Sequence, residues 1–199
     1  MLHLHIAQAT INLPRGEPLA LTDFLTDTVM HPAGETAAAA ASLTPPNYGE
    51  RWAGQGGLYG GFWPAMHGLP ARHLVFSEGE AKLAYGSQGE DEPGATCRID
   101  GASNTRALIT SAHDHPAAKW ADNYHAEGHS DFHLPSQADL FLASLLAPKL
   151  FSQEGWYLSS TQLSRDDAFV QDFEDGGSDW DLKGLEFRVR AVRWIHLNA

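Results

Sequence analysis

Five histidines lie close together in the middle of the chain, and histidine combined with carboxylate is a ligand set that can bind zinc. They are His113, His115, His125, His129 and His133, with Asp114, Asp122 and Asp131 among them. The spacing matches no zinc signature, and the helix-spaced H-E-x-x-H pattern does not occur. The sequence therefore favours histidines that are solvated or hydrogen-bonded in the folded chain, and we predict no metal site here.

Side chains for acyl transfer are also present, because Ser159, Ser160, His133 and Asp131 offer a nucleophile, a base and an orienting group. The G-x-S-x-G turn that exposes such a serine is absent from the sequence. The single cysteine, Cys97, excludes an intramolecular disulfide and a multi-thiolate zinc site. We therefore predict no catalytic residues and a chain that is not an enzyme.

Asp100-Gly101 followed by Asn104-Thr105 is typical of an Asp-Gly turn followed by an Asn or Thr that caps the next helix. The alternative is a calcium site made by Asp100, Asn104 and loop carbonyls, since Ca²⁺ prefers oxygen ligands. The segment lacks the dense carboxylate spacing of known calcium loops. We predict no cofactor, and calcium stays open as the alternative.

A binding surface is the remaining chemistry, and we expect it on loops near the C-terminus. The candidate ligand-binding residues are Arg165, Asp166, Asp167, Ser178, Asp179, Trp180 and Asp181. Trp180 is expected in a polar loop, where an aromatic ring is costly to leave in water unless it packs or binds. Aromatic rings anchor interfaces and stack on sugars. The alternative is that Trp180 folds back onto its own sheet.

The elements that would position these residues are strands at both ends of the chain and helices in the middle. Near the C-terminus, alternation predicts an antiparallel meander of three strands: 156–161, 168–173 and 186–193. We expect Trp156 and Phe187 in its core. Arg188, Arg190 and Arg193 are expected to pair with Asp172, Glu174 or Asp175 across strands.

Helical patterns cover 104–111, 116–125 and a segment that Pro135-Ser136 opens and Leu146 ends. Ser136 is its expected N-cap, with Asp139 three residues later as in a capping box. Upstream, 2–13 is predicted as one strand, 22–30 and 37–43 as short helical segments, and 48–55 as a linker. The fold class that follows is α+β, with short antiparallel strands and about three helices.

The charge of the chain limits its partners. A net charge of −12 argues against nucleic-acid binding, which draws on clustered Lys and Arg. No apolar run approaches the length of a membrane span, so we expect no membrane insertion. The N-terminus lacks the basic start and cleavage region of a signal peptide. We therefore expect a protein that is cytoplasmic or released by lysis.

Several ordered motifs resemble one family. They are G-G-L-Y-G-G-F from Gly56, D-G-A-S-N-T from Asp100, P-A-A-K-W from Pro116, G-H-S-D-F-H-L-P-S from Gly128, W-Y-L-S-S-T-Q from Trp156, A-F-V-Q-D-F-E-D-G from Ala168 and E-F-R-V-R-A-V-R from Glu186. Together they are similar to the DUF1566, or Lcl C-terminal, family over roughly Gly56 to Trp194. Phe132-His133 departs from the Trp-Tyr that is common in that family.

The resemblance implies a C-type-lectin-like fold, related to formylglycine-generating enzymes, for residues 56–199. Those enzymes use cysteine redox chemistry, for which Cys97 alone does not suffice. Residues 1–55 would form an attachment or oligomerisation segment with β structure.

The family recurs in phage tail-fibre and receptor-binding proteins, which implies a non-catalytic tip that binds a host surface glycan or protein. Such a tip would be a homotrimer in the virion tail, assembled in the host cytoplasm beside other tail-fibre or baseplate proteins. The alternatives are a structural virion component that docks to neighbouring chains, and a bacterial surface adhesin.

Overall fold

A computed structural model describes residues 44–197, together with two backbone strands, Leu2–Ile6 and Ala9–Leu13. Contacts divide the chain into two compact units, Met1–Ala39 and Ala40–Ala199. In the first unit the two strands, β1 and β2, pair antiparallel with Leu2 opposite Leu13. Residues 2–13, predicted as one strand, therefore contain a pair of strands. The helical segments predicted at 22–30 and 37–43 lie outside the described residues.

The second unit has an α+β fold, as predicted, with three α-helices among its described residues. Its elements in chain order are β3 (Arg51–Trp52), β4 (Gly57–Trp63), β5 (Arg72–Phe76), β6 (Ala81–Ala84), α1 (Gly101–Thr110), α2 (Pro116–Asp122), α3 (Gln137–Leu146), β7 (Tyr157–Gln162), β8 (Asp167–Gln171), β9 (Ser178–Leu182), β10 (Glu186–Val189) and β11 (Val192–His196).

These strands form two mostly antiparallel sheets. One has five strands in the order β6-β10-β7-β8-β9, and the other has four in the order β11-β5-β4-β3. The last strand of the chain thus pairs with β5, near the start of the unit, as expected for a fold whose ends pair. Within the described residues, no helix combines the length and the apolar character needed to cross a membrane.

The C-terminal strands correct the predicted meander. Strands β7, β8 and β9 do run antiparallel in succession, but β10 returns to the far side of β7 and meets it in parallel, with Arg188 opposite Tyr157. The predicted strand 186–193 is two strands in different sheets. The chain leaves the first sheet at Arg190 and Ala191, where Ser77 accepts from the Arg190 guanidinium through its carbonyl and from the Ala191 amide through its hydroxyl.

The linker predicted at 48–55 is also corrected. The segment predicted as a linker contains β3, whose Trp52 is buried and pairs with Gly57 of β4. An aromatic ring that packs under a sheet contributes about 2 kcal/mol by burial, which favours order over a loose connector. The four-stranded sheet therefore starts inside residues 1–55, the segment predicted to serve attachment.

Helix ends follow the sequence signals closely. Asp100 caps α1 by accepting from the Ser103 amide, and Ser136 and Asp139 form the predicted capping box at α3. The α2 helix begins at Pro116 and ends at Asp122, three residues earlier than predicted. These caps satisfy amides that a helix N-terminus leaves unpaired, so they fix where each helix starts.

The helices cover one face of each sheet. Leu108 of α1 and Ala121 of α2 pack in one core cluster with Leu158, Val170 and Val189 of the five-stranded sheet. A second cluster joins α3 to both sheets, and its members include Leu74, Phe76, Leu140, Ala143, Tyr157, Phe173 and Val192. The two clusters thus pack helices against the five-stranded sheet, and its two edges, β6 and β9, frame the surfaces considered next.

Candidate ligand-binding site

A groove runs along the β6 side of the five-stranded sheet, and we call it the Trp156 groove. Its volume is about 660 Å³, within the range of small-ligand sites. The lining residues are Glu80, Ala81, Lys82, Glu154, Gly155, Trp156, Glu186, Phe187 and Arg188.

Strand pairing positions the two walls of the groove. Strands β6 and β10 run antiparallel, which places Lys82 opposite Arg188. The Arg188 amide donates to the carbonyl of Trp156 at 3.0 Å, so the residue before β7 lies beside β10. The Arg188 Nε atom donates to the Glu154 carbonyl at 2.8 Å and ties the 152–155 turn to the same wall.

Two aromatic residues of the groove are half-buried. Trp156 and Phe187 both pack against the core cluster of α1 and α2, yet both remain partly accessible. The sequence placed them in the core, and the structure shows that they also line the groove. An aromatic ring that is fixed from behind and open in front is a surface on which a sugar ring can stack.

Glu80 holds the base of the groove together. Its Oε1 atom accepts from the Tyr157 hydroxyl at 2.6 Å and from Arg190 Nε at 3.0 Å, and its Oε2 atom accepts from Arg188 Nη1 at 3.2 Å. Burial alone would raise the pKa of Glu80, but the hydrogen bonds from Tyr157 and Arg190 outweigh it and lower this pKa. Glu80 is therefore an ionised, fully engaged structural residue.

Three other charged side chains of the groove are free for a ligand. Lys82, Glu154 and Glu186 are exposed and form no side-chain hydrogen bond or ion pair with any described residue. Carboxylates accept strongly from hydroxyl groups, and an ammonium donates to oxygen. The groove therefore combines aromatic faces with unpaired polar groups of both signs.

The arginines of the C-terminal strands find partners other than those predicted. Arg188 and Arg190 bind Glu80, and Arg193 binds Asp131 with Nε 2.7 Å from Oδ1. The prediction that they pair with Asp172, Glu174 or Asp175 was wrong. It assumed a local meander, whereas β10 and β11 lie beside strands that are distant in sequence.

The predicted binding residues lie along the opposite edge of the sheet. Ser178, Asp179, Trp180 and Asp181 belong to β9, which is an edge strand rather than the predicted loop. The Trp180 ring packs edge-on against Phe169 at a centroid distance of 5.4 Å, and the Arg98 guanidinium lies 5.6 Å from the same ring.

The remaining predicted residues sit at the turn before β8. Arg165 donates to the Gly89 carbonyl, Asp166 accepts through its carbonyl from the Lys183 amide, and Asp167 accepts from the Ser164 hydroxyl. Since Ser178 pairs with Gln171 and Leu182 with Asp167, the predicted set extends along the whole strand, roughly 13 Å. It does not converge on one cavity.

The five histidines lie in three different environments. His113 and His115 come together around Glu92, with which both form hydrogen bonds. His125 and His129 instead contact backbone carbonyls. His133 is buried against Trp194, and burial lowers its pKa to about 3. Its Nε2 atom has no hydrogen-bond partner among the described residues, so it is not joined to Ser159 or Ser160.

Sequence reasoning missed two carboxylates that bring distant residues together. Glu80 binds two of the arginines, and Glu92 binds two of the histidines. Neither follows a local pattern, because Glu80 precedes a short strand and Glu92 precedes Pro93 in a polar segment. The outward alternation of Glu186 and Arg188 was the available signal for the groove. Asp100 caps α1 through the Ser103 amide, whereas Asn104, one of the two residues predicted to cap this helix, lies inside it and binds the backbone of Cys97. The calcium alternative at Asp100 and Asn104 stays a prediction.

Comparison with known proteins gives weak structural similarity and no sequence match. No protein-family model matches the chain, and no curated protein matches it. Among solved structures, a fimbrial protein from Bacteroides ovatus is similar with a TM-score of 0.43 and 12% sequence identity. The match covers 60% of this chain and 35% of that one, and so spans well under half of the fimbrial protein.

Proposed function

We propose that this chain is a non-catalytic recognition module of a phage tail-fibre tip or receptor-binding protein, and that its Trp156 groove binds a host surface glycan. The observation that carries the proposal is the groove itself, where two half-exposed aromatic residues lie beside exposed charged side chains that have no partner among the described residues. The C-type-lectin-like fold and the DUF1566 membership are part of the same proposal, supported by the ordered motifs and by the pairing of the last strand, β11, with β5 near the start of the unit.

Ring stacking and hydrogen bonding would both contribute to binding in the groove. A pyranose face would stack on Trp156, since the polarised C–H groups of a sugar pack well on an aromatic surface. Its hydroxyl groups would donate to Glu154 and Glu186 and accept from Lys82. Arg188 and Glu80 would hold these groups in place, because they bind each other and the adjoining backbone.

The role of the N-terminal segment is a separate part of the proposal. Contacts within Met1–Ala39 form a compact unit of their own, which suits an attachment or oligomerisation element that joins the module to a trimeric fibre. Trimeric display would convert weak binding at each groove into useful avidity.

The test is adsorption of purified full-length protein to candidate host bacteria, comparing wild type with W156A and W180A. We expect W156A to weaken adsorption about 30-fold, the effect of losing about 2 kcal/mol from an aromatic anchor. W180A removes a tryptophan from the opposite edge and should leave adsorption within about threefold of wild type. The double variant K82A/E186Q, at two exposed side chains, tests the groove without touching the core.

Treatment of the cells identifies the receptor class. Mild periodate oxidation, which cleaves vicinal diols of sugars, should abolish adsorption, whereas protease treatment should not. Loss with protease alone would replace the glycan by a surface protein. Loss with W180A but not with W156A would move the site to β9, and a folded wild type that adsorbs to no host would favour the structural virion component.

A further inference from the structure

A second cluster of side chains lies apart from the Trp156 groove, around Glu92, His113 and His115. Glu92 precedes a 3-10 turn at Pro93–Ala95, His113 lies between α1 and α2, and His115 is the residue just before α2. Their candidate ligand atoms all lie within 4.8 Å of one another. We propose that these three residues form a binding site for a divalent transition metal such as Zn²⁺, with a fourth position open to solvent.

The distances inside the cluster are close to those of a metal site. Glu92 Oε1 lies 2.8 Å from His113 Nδ1 and 3.0 Å from His115 Nε2. Two ligands at about 2.0–2.1 Å from a tetrahedral zinc ion are about 3.3 Å apart. An ion would therefore enter after the three side chains separate by a few tenths of an ångström.

Stronger support for a metal site comes from the outer nitrogen of each imidazole ring, which is the one that does not contact Glu92. His115 Nδ1 lies 3.0 Å from the Tyr85 carbonyl oxygen, and His113 Nε2 lies 3.1 Å from Glu90 Oε2. Each outer nitrogen faces an oxygen that can only accept, so each must carry a proton. A carbonyl or carboxylate on the far nitrogen is the usual support of a metal-binding histidine, since it fixes the tautomer and the ring orientation.

The inner nitrogen of each ring and Glu92 Oε1 face one another across the position that an ion would occupy. Because the outer nitrogens are paired with oxygen acceptors, both rings are held with their inner nitrogens directed at this position. The surrounding charge favours the ion, because Glu90, Asp91 and Glu92 follow one another in the chain, and the Lys183 ammonium donates to the Glu90 carbonyl and to Gln162 Oε1 rather than to a carboxylate.

The cluster is also built to stay in place. The His115 side chain is 1% exposed and Glu92 10%, whereas His113 is 39% exposed and leaves an entrance. The Glu92 amide donates to Gln162 Oε1, and the Ser111 hydroxyl donates to Glu92 Oε1 at 2.6 Å. A Cβ atom at Gly86 would lie 2.5 Å from His115 Nδ1, so the segment after β6 can approach this ring only because residue 86 is glycine.

The donor set selects the class of metal. Two imidazole nitrogens and one carboxylate oxygen suit Zn²⁺, Co²⁺ or Ni²⁺, whereas Ca²⁺ requires six or more oxygen ligands. The site is independent of glycan binding in the Trp156 groove. It would tie β6, the 3-10 turn and α2 together, and a bound ion would thereby stabilise the folded unit.

The test is calorimetric titration of the chelator-treated full chain with ZnCl₂, with CaCl₂ as the comparison. We expect one Zn²⁺ per chain at this site, no Ca²⁺ binding there, and a Tm higher by roughly 5–10 °C at a hundredfold excess over Kd. Titration with CoCl₂ should give the intense visible absorption of tetrahedral Co²⁺.

Variants assign the site within the chain. H113A alters the most exposed ligand and should weaken Zn²⁺ binding at least about 100-fold, since losing even an outer partner costs 10- to 100-fold. H125A, at a histidine outside the cluster, should bind as wild type does. The sequence also places His3 and His5 two residues apart, so H3A/H5A is a further control that should retain the ion. Equal Zn²⁺ affinity in wild type and H113A, or no binding by wild type, would overturn the proposal.

Discussion

The two flanks of the five-stranded sheet differ in how their polar groups are used. On the β9 edge, Asp179 Oδ1 accepts from the Trp180 amide at 2.8 Å and Asp181 Oδ1 from the Leu182 amide at 2.7 Å. Alternate amides of an edge strand point away from its neighbour, so these bonds satisfy donors that would otherwise invite another strand.

The β6 flank is arranged in the opposite way. There a buried ion pair, Glu80 with Arg190, supports the wall, while Lys82 and Glu186 extend into solvent without partners among the described residues. An aromatic and acidic sequence therefore does not identify a binding surface by itself. Trp180 and its neighbouring aspartates already have partners within the protein, whereas Lys82 and Glu186 near Trp156 have none among the described residues and can bind a ligand.

The largest expected effect is the loss of Arg190. R190A removes the guanidinium that binds Glu80 and the Ser77 carbonyl, and leaves a largely buried carboxylate with fewer partners. We expect the free energy of unfolding to fall by about 3 kcal/mol, as measured by urea denaturation. The matched variant R165A, at an exposed arginine near the other flank, should change it by less than about 1 kcal/mol. Similar losses in the two variants would contradict the proposed difference between the flanks.

The pH dependence of Glu80 gives the next largest effect. Its pKa in the folded protein is lowered, so its stabilising contribution is complete above the usual value of 4.5 and is lost as the pH falls through the lower, folded value. At pH 7 we expect E80Q to be about 2 kcal/mol less stable than wild type, and at pH 3 the two should approach each other.

Denaturant unfolding at several pH values measures this difference. E186Q, at an exposed groove carboxylate, is the control and should track wild type throughout. A gap between E80Q and wild type that stays constant down to pH 3 would show that Glu80 acts only through the shape of its side chain.

Substitutions at the β9 edge should have the smallest effect on the free energy of unfolding, but they should have a measurable effect on self-association. D179A/D181A leaves the Trp180 and Leu182 amides without their acceptors and removes two negative charges. We expect this variant to form larger oligomers than wild type does at the same concentration, as measured by sedimentation velocity. E154A/E186A loses the same charge on the other flank and should not associate. Equal behaviour of the two double variants would mean that net charge, rather than the edge amides, controls association.

Local signals in the sequence were sufficient for much of the fold. The capping box at Ser136 and Asp139 gave the start of α3, because its bonds join residues three apart. The start of α1 was predicted at Asn104, three residues late, because its cap is Asp100 and Asn104 lies inside the helix. Strands β7 and β8 were found within one or two residues from their alternation.

The candidate site depended on pairings that no local signal contains. Glu80 meets Arg190, and Glu92 meets His115, only after strands and turns that are distant in sequence pack together. The alternation of 186–193 was identified correctly, but it continues across the point where the chain passes from one sheet to the other at Arg190 and Ala191. Periodicity reports which face a residue lies on, and not which sheet it joins.

The pairing of β5 with β11 sets a condition on how the protein is made. All five residues of β5 are buried, and one of its two neighbours is the last strand of the chain. During synthesis, β5 therefore leaves the ribosome long before β11 exists, with one apolar edge unpaired. Contacts of such large sequence separation slow folding and expose aggregation-prone edges. A chain that stopped before Val192 would lack β11, so this side of β5 would stay unpaired and the four-stranded sheet would be incomplete.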